Sequence, residues 1–471
     1  MRFVWSPTLP TWIWLATCTP FACSLVVSDE LDSKPVAHQD PSGGQDSGGP
    51  DDAGQKPDVV MDAGAALDAY DADSECDACA LSTACCGGRC INTMNDPLNC
   101  GGCGKTCMAG RVCESGACKG GWVAMQAPAQ AFAARKMACA VWTGRWMFVW
   151  GGEDALAQPL GDGALYDPLR DAWLEVPTAG APSPRYKPTC VATSSGVFVW
   201  GGTDGASLLD TGSFYDPVQN QWEPLGSHGV SPPRLVPVAL WTGTEVLIWG
   251  GEKLDNNQEK SGRRYNPATK SWTTMSVGSC PPQNKGLIAA WTGDQLLVFG
   301  GRGNNAEDGF FSYAPASDKW QDLSSTAGLA RRSHGFAAWV DNRMTIWGGL
   351  DDQQLPMHDG AAFDATVRGW VPLPPVGALT ARALIPFVGG WSARAGDRLL
   401  VIGGGGATAI RQNGAVYAPK EPARQQWSTI PSWDPPGEHR EGVGVWTETE
   451  FIVWGGWNGS EPMVGGSRWM P

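Results

Sequence analysis

A unit of about 50 residues, repeated until the C-terminus, leaves this 471-residue chain few folds to choose from. The first copy begins at Arg135 and reads R-K-M-A-C-A-V-W-T-G-R-W-M-F-V-W-G-G, then a polar loop, then Y-D-P-L-R-D-A-W ending at Trp173. Two apolar runs joined by Thr143-Gly144-Arg145 predict a β-hairpin. Leu165-Tyr166 predicts a third strand. Asp167-Pro168 then turns the chain, because proline has no N–H and presets φ. Trp173 marks a fourth strand, so one unit is a four-stranded antiparallel meander.

Gly-Gly pairs begin at Gly151, Gly201, Gly250, Gly300, Gly348, Gly403 and Gly455. Third-strand aromatics follow at Tyr166, Tyr215, Tyr265, Tyr313, Phe363, Tyr417 and Trp469, and fourth-strand tryptophans at Trp173, Trp222, Trp272, Trp320, Trp370 and Trp427. The first set has seven members and the second six, because the chain stops at Pro471. Gly121-Trp122-Val123-Ala124-Met125 matches Ala172-Trp173-Leu174-Glu175-Val176 and is expected to supply the missing outer strand. Such closure removes the open edge of an antiparallel array.

The period and the ordered Gly-Gly, aromatic and Trp markers resemble the kelch-repeat family over about residues 120–471. The resemblance implies an all-β, seven-bladed kelch-type propeller, galactose-oxidase-like in shape, closed by an N-terminal outer strand. Phe363-Asp364-Ala365 lacks the proline, and the sixth unit carries an insertion near Gly389 to Asp397. The glycines answer a need for positive φ or close approach, and the aromatics fill the wedges between blades.

Ahead of the repeats, residues 1–27 are expected to direct export. Arg2 precedes an apolar stretch with Trp12, Ile13, Trp14 and Leu15, which Pro7, Pro10 and Pro20 make unsuitable as a membrane span. Leu15-Ala16-Thr17-Cys18 and Phe21-Ala22-Cys23-Ser24 each resemble a bacterial lipobox, so Cys18 or Cys23 is a candidate lipidation site, with ordinary signal cleavage as the alternative. The expected destination is the outer membrane by lipid anchor, the cell surface or periplasm, or secretion.

Residues 28–75 are expected to form a disordered acidic linker. From Asp29 to Asp77 there are fourteen Asp and Glu against Lys34 and Lys56, a net −12 out of −14 for the whole chain. Such a stretch cannot bury a core and extends by self-repulsion. The acidity therefore says little about the ligand of the folded part.

Residues 76–118 hold ten of the fifteen cysteines: Cys76, Cys79, Cys85, Cys86, Cys90, Cys100, Cys103, Cys107, Cys113 and Cys118. An even count with almost no aliphatic core reads as a disulfide framework. The C-x-x-C pairs raise a zinc reading, but zinc would leave most of the ten unexplained, and the segment has no His. The run C-G-G-R-C-I-N-T-M-N-D-P-L-N-C-G-G-C-G-K-T-C resembles the stigma-specific-protein-like cysteine-rich module. Within residues 119–471, Cys139 and Cys190 occupy equivalent first-strand positions, where small buried hydrophobes are expected and pairing is the alternative. Cys280 stands alone.

Ligand chemistry is expected on the propeller face formed by the loops that enter each first strand and follow each Gly-Gly. Sixteen residues before each Gly-Gly lie Arg135, Arg185, Arg234, Asn284 and Arg332; Arg382 is displaced by the insertion, and Arg440 follows His439. Glu153, Asp154, Asp204, Glu252, Asp351 and Asp352 follow the Gly-Gly pairs, and Trp457 follows the last. In kelch domains that bind acidic peptides, arginines at this position hold the ligand carboxylates, for which bidentate guanidinium geometry is suited. The alternative is that each Arg pairs with a loop carboxylate and pins the blades.

Enzymatic readings meet a shortage of residues. A copper radical oxidase resembling galactose oxidase needs two His and two Tyr. Of the six propeller tyrosines only Tyr186 is not a repeat marker, and His334, His358 and His439 show no ligand spacing. The box expected of sialidases is absent, no Ser-His-Asp arrangement or phosphate-cradling loop stands out, and a basic patch sufficient for nucleic acid is lacking. The expectation is a monomeric, non-catalytic binding module for a protein, an acidic peptide or a glycan, without metal or cofactor. A carbohydrate-active enzyme, mutarotase- or oxidase-like, is the alternative. It would need an unpaired carboxylate beside an Arg and His334 or His439.

Overall fold

The computed structural model describes residues 79, 83–107, 111–128, 132, 134–226, 232–253, 259–282, 286–301, 309–324, 328–375, 390–406, 409–410, 413–431 and 441–471. The export segment, the acidic linker, Cys18, Cys23, Cys76, Arg382, His439 and Arg440 lie outside them. The described chain divides into two compact units, one within residues 121–471 and the other within residues 79–120.

The larger unit is a seven-bladed propeller. Blade 1 is the antiparallel order Cys139–Trp142, Met147–Trp150, Gly163–Asp167, Ala172–Val176. Blades 2 to 6 repeat it with inner strands Thr189–Ala192, Val238–Trp241, Ile288–Trp291, Phe336–Val340 and Gly390–Ala395. Blade 7 takes three strands from the C-terminus (Val443–Trp446, Phe451–Trp454, Gly466–Met470) and its outer strand from Gly121 to Ala124. The register Trp469↔Trp122 repeats Tyr166↔Trp173 and its counterparts, so Trp122 is the seventh outer-strand tryptophan. Each inner strand touches the next, and that of blade 7 touches that of blade 1, which closes the ring.

The core lies in the wedges between blades. Buried aliphatics of the inner two strands face across them, and the outer tryptophan of one blade packs on the end of the second strand of the blade before it. Trp150 meets Trp222 at 5.8 Å, Trp249 meets Trp320 at 4.4 Å, and Trp454 of the last blade meets Trp173 of the first at 5.2 Å. The Gly-Gly pair ends each second strand in a left-handed conformation, φ 71° and 103° at Gly151 and Gly152. A Cβ on Gly152 would lie 2.7 Å from the Lys136 carbonyl, so glycine is required there.

The expectation of reduced cysteines at 139 and 190 is overturned: they are disulfide-bonded, with Cα atoms 5.8 Å apart. Cys139 pairs with Trp150 and Cys190 with Val199, so the two are one residue out of step, point to opposite faces of neighbouring inner strands and meet across the first wedge. Cys280 is a buried free thiol whose Sγ lies 3.0 Å from the Val277 carbonyl, and burial pushes its pKa up.

In the smaller unit, hairpins Ala84–Cys86/Arg89–Ile91 and Arg111–Glu114/Ala117–Gly120 are cross-linked by Cys79–Cys90, Cys86–Cys103, Cys100–Cys113 and Cys107–Cys118, and Cys85 is also disulfide-bonded. Cys100, Cys107 and Cys113 are themselves its buried centre. With their sulfurs in disulfides, these cysteines offer no thiolate for zinc.

Candidate ligand-binding mouth of the propeller

The pairings Cys139↔Trp150 and Thr189↔Trp200 place the start of each inner strand and the end of each second strand at one end of the propeller. The residues expected to bind ligand gather there, but the arginines do not face solvent. Arg135, Arg185, Arg234 and Arg332 are 0–1% exposed. Arg185 commits every donor it has: Nη1 to the carbonyls of Gly201 (3.0 Å) and Thr211 (2.8 Å), Nη2 to the hydroxyls of Ser183 and Thr211, and Nε to the Ser183 carbonyl. The other three repeat the pattern. Nη1 donates to the first glycine's carbonyl (Gly151, Gly250, Gly348) and to that of the residue before the third strand (Asp162, Ser261, Asp359). Arg135 and Arg332 add salt bridges to Asp162 (2.8 Å) and Asp359 (3.1 Å). These four guanidiniums are blade pins, the alternative reading of the arginine positions.

The expected carboxylates divide by register. Asp154, Asp204 and Asp351 stand three residues after the first glycine, and each turns its Oδ1 back onto two amides of its own loop, as Asn458 does in blade 7. Those amide bonds hold the Asp204 carboxyl below its ordinary pKa. Glu153 and Glu252 stand one residue earlier, where the backbone bridges to the residue after the pin arginine, Lys136 and Leu235. Trp457 takes the same position in blade 7.

The second residue after each pin position forms an inner belt. Met137, Lys187, Val236, Gly286, His334 and Glu441 all have φ between 47° and 65°. Their backbones join the blades: Met137 N donates to Glu441 O, Lys187 N to Met137 O, and His334 N to Gly286 O, at 2.8–2.9 Å. Two belt residues are charged, on either side of Met137. Around them the mouth of blades 7, 1 and 2 carries a mixed constellation. Lys136 Nζ lies 2.9 Å from Glu153 Oε1 and 3.6 Å from Glu441 Oε2, and 4.8 Å above the Trp457 ring.

The electrostatics separate the two lysines. Burial works against the Lys136 charge, but the Glu153 hydrogen bond and the nearby Glu441 outweigh it and hold its pKa above the usual value. Burial lowers that of Lys187, against the opposing charges of Glu441, Glu252 and Glu153. Burial raises the Glu441 carboxyl despite Lys136 and Lys187. Carboxylates of blades 7, 3 and 1 all act on Lys187, which places this blade-2 amine centrally in the mouth. Among the described residues it forms no hydrogen bond or ion pair. Tyr186 beside it is half-buried, and burial raises its hydroxyl pKa. Trp391, by contrast, is buried in the wedge between blades 6 and 7, and Trp433 lies outside the described residues.

Lys136, Lys187 and Glu441 are absent from the sequence-based expectation, which followed the arginine one or two residues away. Comparison with known proteins agrees with this architecture. Residues 236–456 match the KLHDC2/KLHL20/DRC7 Kelch-repeats domain, and residues 64–120 match the stigma-specific STIG1-like protein family. No curated protein matches the chain. The kelch-repeat match covers residues 236–456 of one closed propeller of seven blades.

Proposed function

We propose that the propeller is a non-catalytic interaction module whose ligand, a protein, an acidic peptide or a glycan, docks on the mouth of blades 7, 1 and 2. A kelch-repeat propeller suggests protein interaction. The observation that carries the choice of site is Lys187, a central ammonium whose charge is penalised by burial and which has no ion-pair partner among the described residues. A ligand anion that pairs with it recovers what burial costs. Trp457, partly exposed under Lys136, offers a flat apolar surface for a side chain or sugar ring. The enzymatic alternative asks for an unpaired carboxylate; Glu153 and Glu441 both face Lys136 within ion-pair distance, which favours binding.

The proposal extends to an exported monomer anchored through Cys18 or Cys23 or released after signal cleavage. Four mapped disulfides in a module of about 40 residues support an oxidising destination. Intact mass of the protein recovered from membranes reads lipidation directly.

The binding test is a peptide and glycan array screen of the full chain beside Lys187→Ala and Trp457→Ala. A hit that weakens at least tenfold in Lys187→Ala and fades with salt is the expected result. Hits unchanged in both variants would place the working surface elsewhere.

A further inference from the structure

Blade 3 departs from its six sisters at one buried position. The second residue of the third strand pairs with a buried aliphatic of the second strand, as in Val149↔Ala164 and Ile346↔Ala361. Its occupants are Ala164, Ser213, Phe311, Ala361, Ala415 and Ser467, all 1–6% exposed. In blade 3 the position is Arg263, opposite Ile248 and 8% exposed. A second charge lies in the loop before that strand, at the residue whose amide donates to the second glycine's carbonyl. Among the described residues Leu160, Leu209, Met357 and Met463 fill it in blades 1, 2, 5 and 7 and Glu259 fills it here, while the sequence has Glu307 and Arg411 at this position in blades 4 and 6. A charged residue at a buried position that is small or apolar in every sister blade runs against the local rule, the pattern by which functional positions stand out in a repetitive fold.

These charges do not balance. Glu259 pairs with Lys253 at 2.9 Å. Arg234, fully buried, donates from Nη2 to Ser261 Oγ at 3.0 Å, two residues from Arg263 on the same strand edge. Glu259 acts on both arginines, and the arginines act on each other as like charges. Among these described residues the group holds three cations and one carboxylate. Arg263 has the least support: its Nη1 reaches the Gly262 carbonyl at 2.8 Å, and its buried Nε has no partner among the described residues. A buried guanidinium with donors left unpaired is unfavourable. The Lys253 side chain, 36% exposed, gives the cluster an edge on solvent.

We propose that Arg263, with Lys253 and Arg234 beside it, forms a binding site for a small oxyanion, a phosphate or carboxylate group, in blade 3 and apart from the mouth constellation of blades 7, 1 and 2. The anion takes the free Nε–H and Nη2–H edge of Arg263, the fork geometry that guanidinium offers to oxyanions, and brings the cluster closer to neutrality. Glu259 keeps Arg234 and Lys253 partly compensated while the site is empty.

The experiment is thermal unfolding of the full chain against inorganic phosphate and, separately, succinate, each matched in ionic strength with chloride, in parallel with Arg263→Ser. Serine is the residue two sister blades use, so the variant is expected to fold and to be at least as stable as the parent without added anion. A concentration-dependent rise in Tm of the parent by a few degrees, lost in Arg263→Ser, supports the site, and whether phosphate or succinate produces it identifies the source. A rise shared by both proteins, or none beyond chloride in either, overturns it.

Discussion

The indole Nε1 of Trp122 donates to the carbonyl of Pro431 at 2.8 Å, across 309 residues of sequence. Sister tryptophans make the same bond to the residue just past the previous blade's outer strand: Trp173 to Gln126, Trp222 to Pro177, Trp320 to Ser276 and Trp427 to Pro374. Trp122 thus joins blade 7 to blade 6 as an ordinary member of the ring, although it enters from the other end of the chain. A propeller closed this way stores much of its cooperativity in one short strand. Trp122→Ala is expected to lower the unfolding free energy by about 3 kcal/mol, read by denaturant titration. A loss under about 0.5 kcal/mol, the usual range for surface changes, would show that the strand does not close the ring.

Arg185 behaves as a structural residue in the same sense. Arg185→Ala leaves the Gly201 and Thr211 carbonyls without their buried donor and is expected to cost about 3 kcal/mol. Arg185→Lys should recover little, because an ammonium cannot span acceptors set for a planar fork. Unchanged stability together with lost ligand binding would reverse the assignment.

The Cys139–Cys190 bond closes a loop with a sequence separation of 51. Constraint of the unfolded chain by a loop of that length is worth about 4 kcal/mol. The double variant Cys139→Ala/Cys190→Ala should therefore unfold at clearly lower denaturant with the module's own disulfides intact. Peptide mapping without reductant that finds both thiols free would remove the basis for this.

Glu441 sets a pH dependence. Burial raises its folded pKa above the ordinary 4.5. Its contribution is therefore fully present below 4.5 and is lost as pH rises through the raised value. Glu441→Gln removes that dependence, so the stability difference between variant and parent should move in the variant's favour from pH 4 to pH 7. A difference that is flat with pH, measured by thermal unfolding, would mean the carboxyl titrates as an ordinary surface acid.

The strand order, the blade count and the closing role of Trp122 could all be read from the linear pattern, because each follows from marker residues at fixed spacing. The role of the arginines was half legible. Where the pin position is Arg, the residue before the third strand has a side-chain acceptor, as in Asp162, Thr211, Ser261 and Asp359; where it is Asn284 or His439, that residue is Gly309 or Gly465. That covariation between repeats points to pins and is visible without coordinates. The charge balance of the face is not, since Asp204 and Glu153 look alike in sequence, yet one caps a turn and the other meets Lys136.

By itself the sequence determined the repeat, because strand period, glycine positions and aromatic wedges are local demands that each unit states for itself. It also determined that the cysteine-rich module is held by disulfides. Only the tertiary structure decided which charges are used up and which are left over. Closing the ring brings Lys136, Lys187, Glu153 and Glu441 together from three blades. It also buries Arg263 in a wedge where its sister residues are small or apolar. Burial and partnership are properties of that assembled geometry, and they decide whether an arginine holds a blade or remains available to an anion.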